Sequence, residues 1–137
     1  MRISICKACL GFAFTCIATA PAFAEQAYLC AINEVYECVA VTGCSRISLE
    51  DANLAGVMLI DVEKKQLSSA PLGQDPTTDA IDSVSVSDDA VLLHGLGKKD
   101  TNRTWSAVIS LKTGNLSAGV STPTSSLALT GECTAKL

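Results

Sequence analysis

"TWSAVISL", residues 104–111, places Trp105, Ala107, Ile109 and Leu111 on one side and Thr104, Ser106 and Ser110 on the other, with Val108 the exception. Successive side chains of a strand point to opposite faces, so this spacing predicts a strand with one face buried and one wet. "DSVSVSDD" (82–89) repeats the pattern, setting Val84 and Val86 against Ser83, Ser85 and Ser87. "AVLLHGLG" (90–97) is apolar almost throughout and reads as a strand covered on both sides. No window of a dozen residues carries a helical stripe.

Turn chemistry separates these strands. Gly114 and Asn115 mark one reversal and "SDDA" (87–90) another. "LIDVEKKQLSSA" (59–70) and "VISLKTGNLSAG" (108–119) share one grammar: apolar strand, polar turn, then Leu-Ser-small. The expected strands are 27–33, 35–41, 54–62, 66–70, 81–87, 90–96, 103–111, 116–121 and 125–132. The first two can be one bent strand, which makes the count about eight. Short strands and tight turns at this spacing predict an all-β, antiparallel up-and-down meander, closed or nearly closed as a lipocalin-like barrel, with a β-sandwich as the alternative.

The first 24 residues read differently. Arg2 and Lys7 precede an apolar stretch from Ala8 to Ala20, followed by Pro21 and the small-x-small triplet Ala22, Phe23, Ala24. This is the layout of a cleavable secretory signal, and the apolar run is shorter than the roughly 20 residues that span a bilayer. Residues 1–24 are therefore expected to leave as a signal peptide, and 25–137 to form one disulfide-stapled β domain with no transmembrane segment. The expected location is secreted or periplasmic.

Of the seven cysteines, Cys6, Cys9 and Cys16 leave with the signal, and Cys30, Cys38, Cys44 and Cys133 remain. Four thiols in an oxidising compartment predict two disulfides rather than a metal or redox site. Cys30 shares parity with Tyr28 and Ile32, and Cys133 with Leu127 and Leu129, so both face inward. If the first and last strands are neighbours, these two meet, and Cys38 and Cys44 bridge the turn "CVAVTGC" (38–44). Along one straight strand Cys30 and Cys38 stand roughly 26 Å apart. They pair only if "NE" (33–34) is a tight hairpin.

Without Arg2 and Lys7, eight basic residues face fourteen acidic ones. An acidic surface without a basic stripe argues against nucleic acid and anionic membranes, and permits a cationic protein partner. Every Phe lies in the signal, leaving Tyr28, Tyr36 and Trp105 as the aromatic complement. That is too little for a stacking platform for bases.

No nucleophile elbow, metalloprotease helix, P-loop or dinucleotide fingerprint occurs, so no catalytic residue, cofactor or metal is assigned. His94, the only His, reads as a packed or surface residue, because base catalysis needs a partnered nucleophile in a pocket. Asp82, Asp88 and Asp89 read as solvated strand-end and turn carboxylates, and Asp75 with Asp79 falls short of a calcium loop. The longest connection, 70–80, is stiffened by Pro71 and Pro76 and also carries Gln74, Asp75 and Asp79. It is the first candidate for recognition. A second is "GKKDTNRTW" (97–105), with Lys98, Lys99 and Arg103.

Tyr28-x-Cys30 near the start and Cys133 near the end, set on a small β-barrel, resemble the layout of bacterial periplasmic lysozyme inhibitors. The resemblance covers the two ends of the chain and implies a cationic protein as partner. The leading expectation is thus an exported, non-catalytic binding or interaction protein, with an inhibitor as one form of it. The alternative is a carrier of a small apolar ligand inside the barrel, which a hollow interior would favour and a packed one would not. An enzyme ranks last.

Overall fold

Apolar residues at Tyr28, Cys30 and Ile32 put even-numbered positions inside, yet the next buried residue is Val35. The computed structural model, which describes residues 27–97 and 102–136, shows how the parity changes. One strand, β1 (Ala27–Val39), runs through the whole segment. Its register against the last strand passes from Ile32↔Gly131 to Glu34↔Thr130, leaving Asn33 as the extra residue of a β-bulge. A Cβ at Gly131 would collide with the Ala31 carbonyl, so the bulge requires glycine opposite it. The expected pair of strands at 27–33 and 35–41 is therefore one bulged strand, and "NE" is no hairpin.

Among the described residues nine further strands follow: β2 (Gly43–Ile47), β3 (Val57–Asp61), β4 (Gln66–Ser69), β5 (Thr77–Ala80), β6 (Ser83–Val86), β7 (Ala90–Leu96), β8 (Thr104–Ser110), β9 (Asn115–Ser121) and β10 (Ser125–Ala135). All pairings are antiparallel, in the order β5-β4-β3-β1-β10-β9-β8-β7-β6, with β2 adding to β1 beyond β3. First and last strands are thus neighbours. β2 and β5 lie outside the expected strand set, because "GCSRI" and "TTDA" carry almost no apolar residues to mark a period.

The outermost strands of this row, β5 and β6, are separated in the chain only by Ile81 and Asp82. Eight inter-strand spacings of about 4.8 Å would hold them about 38 Å apart in a flat sheet. Three residue steps reach at most about 11 Å. The sheet must therefore curl, and it forms an open half-barrel rather than the closed ring expected. Its two ends are tied by covalent chain: Ile81 N–H donates to the Lys65 carbonyl, and Asp82 N–H to the His94 carbonyl.

The concave face holds the core, with Ile60, Val91, Val35, Ile109 and Cys30 almost fully buried. The two disulfides are Cys30–Cys133 and Cys38–Cys44, and each joins residues directly opposite in a ladder. Among the described residues no second sheet covers the convex face. Leu92, Leu96 and Val108 are 45%, 52% and 43% exposed, so β7 is buried on one side only, contrary to the expectation for 90–97.

Candidate functional site

Strand directions sort the connections to two ends of the curl. The turns at 62–65, 87–89 and 111–114 lie at one end. The hairpin 40–42, the segments 48–56 and 70–76, the β9–β10 connection, and the end of β7 with the start of β8 lie at the other. The concave face is not filled toward this second end. A cavity of about 360 Å³ remains, within the lower range of small-molecule sites.

Its walls are mainly aliphatic. Ile32, Ile60, Leu67, Leu116 and Leu129 project from five strands, while Ala107 and Ala118 supply little volume where larger residues would close the space. The segment 48–56 contributes Asn53, Leu54 and the buried Ala55. The expected strand 54–62 is shortened to β3, leaving 54–56 in this segment, and "SLED" (48–51) carries the signal of a capped turn. Asp51 N–H donates to Ser48 Oγ at 3.0 Å, and the Ser48 hydroxyl donates to Asp51 Oδ2 at 2.6 Å. The tight turn folds Leu49 and Leu54 back onto the core.

Trp105, the one large ring, stands on the cavity wall. It pairs across the ladder with Gly95, and a Cβ built on Gly95 would lie 2.5 Å from the indole Cζ2. The ring therefore lies against bare backbone, which only glycine leaves available.

The two recognition segments expected from the sequence meet here. Pro71, Gln74 and Asp79 come from the 70–80 stretch and Arg103 from the other, and all four line the cavity. The Gln74 amide donates to Asn53 Oδ1, joining two connections across the opening. Asp75 and Pro76 are exposed and point elsewhere, while Leu72 is 90% exposed at the tip. Lys98 and Lys99 lie outside the described residues, as does the expected signal 1–24. What was expected as one long connection thus contains β5, whose alternation puts Thr77 and Asp79 inside and Thr78 and Ala80 outside.

The remaining chemistry-bearing residues stand apart from the cavity. His94 is exposed, with Nε2 3.1 Å from Thr104 Oγ1. Asp82 accepts from the Leu96 N–H at one end of β6, whereas Asp89 pairs with Lys112 Nζ at 2.6 Å beyond the other end. Among the described residues no group of three or more His, Cys, Asp or Glu is placed to hold a metal ion. No protein-family model matches this chain, and no curated protein matches it significantly.

Proposed function

We propose that the protein is an exported carrier or sensor that holds a small, largely apolar ligand in the hollow of its curled sheet. The observation carrying this reading is the cavity of about 360 Å³ walled by aliphatic side chains, with polar groups gathered at its opening. Supporting it, the chain from Thr77 to Val86 pairs first with β4 and then with β7, so the two ends of the open, curled sheet are joined by covalent chain around the hollow. Two disulfides support an oxidising compartment, periplasmic or extracellular. The absence of a paired nucleophile and base around the cavity among the described residues favours binding over turnover.

Trp105 is the natural reporter. Titration with medium-chain fatty acids, retinoids and small sterols should change its emission saturably for at least one class. Emission unmoved by all of them, and by the alkyl compounds described below, would remove the carrier reading.

A protein-recognition role keeps one specific support. Val41, at the tip of the hairpin closed by Cys38–Cys44, is 94% exposed, and Leu72 projects from the same end of the molecule. Capture of a cationic lysozyme on the immobilised protein, lost in Val41→Asp, would favour this second reading; no capture would dismiss it.

A further inference from the structure

Among the described residues the cavity presents one carboxylate and one cation, and they are not equivalent. Asp79 projects from β5 on the concave face, half-buried, directly opposite Leu67 in the β4–β5 ladder. Arg103 also lines the cavity but is exposed. The salt bridges among the described residues are Arg46–Glu34, Lys64–Asp61 and Lys112–Asp89, so Asp79 and Arg103 do not neutralise each other. None of the hydrogen bonds among the described residues involves the Asp79 carboxylate either. A carboxylate partly withdrawn from water beside aliphatic side chains carries a desolvation cost that a bound donor or cation would offset.

We infer that the cavity selects a cationic amphiphile, an aliphatic ammonium whose head engages Asp79 and whose chain lies among Ile60, Leu67 and Leu116. The inference rests on the carrier reading and assigns its ligand class. Two further features agree with it. The mature chain carries eight basic against fourteen acidic residues, a surplus of negative charge that raises the local concentration of cations. Among the described residues Asp79 is the one acidic side chain lining the cavity, so the ligand needs a single cationic end.

The test compares three ligands of equal chain length at pH 7 by Trp105 emission: octylammonium, octan-1-ol and octanoate. The ammonium should bind about tenfold more tightly than either of the others, the gain expected of a charge-assisted hydrogen bond over a neutral one. Asp79→Asn should bring octylammonium down to the affinity of octanol. Asp75→Asn removes the same charge from the neighbouring exposed position and should leave the preference intact. Thermal melts of both variants confirm that the fold is kept. Octanol or octanoate binding as tightly as the ammonium, or a preference that survives Asp79→Asn, would overturn the inference while leaving the carrier reading standing. Failure of all three ligands to bind would overturn the inference, and together with emission unmoved by the fatty acids, retinoids and sterols it would remove the carrier reading as well.

Discussion

At Gly95 the backbone is a surface on which a side chain rests. A methyl group there would reach to 2.5 Å from the Trp105 ring, so Gly95→Ala forces the indole to move. Overpacking of this kind costs about 1–3 kcal/mol. The urea midpoint should fall accordingly, and the Trp105 emission maximum should shift to longer wavelength as the ring leaves its bed. An unchanged spectrum would show that the contact is not made. The inward side of Trp105 was legible from the alternation in "TWSAVISL". The demand for glycine was not, because the partner stands ten residues away and is specified only by register.

Asp61 gives the clearest effect of pH. Chiefly through the Lys64 N–H at 2.8 Å from Oδ1, and against some desolvation, its carboxyl is held below its ordinary value, with the Lys64 ammonium 3.2 Å from Oδ2 helping. A lowered folded pKa means that this contribution is present above the unfolded value of about 3.9 and is lost as pH falls through the lower folded one. The Lys64 amide proton should therefore keep its hydrogen-bonded chemical shift down to about pH 4 and lose it on further acidification. Asp61→Asn should abolish that transition. The carboxyl is half-buried but its partners all lie within the turn 61–64, so the effect belongs to the turn and not to global stability.

Among the elements, β1 organises the molecule. It pairs with β10 on one side and with β2 and then β3 on the other, and its bulge moves the buried set from even to odd positions. That switch was visible in the spacing of Ile32 and Val35; the glycine opposite it was not. The inward parity of Cys30 and Cys133 was legible too. That Cys30 and Cys133 come to lie directly opposite one another depends on the pairing of the two longest strands, and for Cys38 and Cys44 it depends on the β1–β2 ladder. The bridges differ in the loop they close, with sequence separations of 103 and 6. In the chain-entropy model the long one contributes about 4.7 kcal/mol and the short one about 2.4 kcal/mol. Replacing Cys30 and Cys133 by Ala should lower the unfolding free energy roughly twice as much as replacing Cys38 and Cys44, as read from denaturant midpoints. Equal losses would show that strain or residual structure outweighs loop entropy. β2 and β5 escaped the sequence reading because strands of four or five mostly polar residues carry no hydrophobic period, and only their neighbours' backbones recruit them.

For the whole molecule, the decisive property is that the curl is not filled. Ala118 lies on the cavity wall, half-buried, opposite Ala107 and Leu129. Ala118→Phe should place a ring in the empty space, abolish ligand-induced changes in Trp105 emission and raise stability by about 0.5–2 kcal/mol. Lost binding together with a lowered melting temperature would mean that the space is too constrained for a ring, and that the packing is tighter than a ligand site requires. Local chemistry written along the chain determined the strand character, the inward and outward sides, the position of several turns and the cysteines available for pairing, because period-two alternation and turn propensity act between near neighbours. Only the tertiary structure decided that the sheet curls without a closing ladder, that Asn53, Leu54 and Ala55 beyond the "SLED" turn join the cavity wall, and that Asp79, Gln74, Arg103 and Trp105 share one hollow. The reason is physical. Whether an interior is full depends on the summed volume of side chains from facing walls, and which residues face one another across a curl is set by strand order and register, not by distance along the sequence.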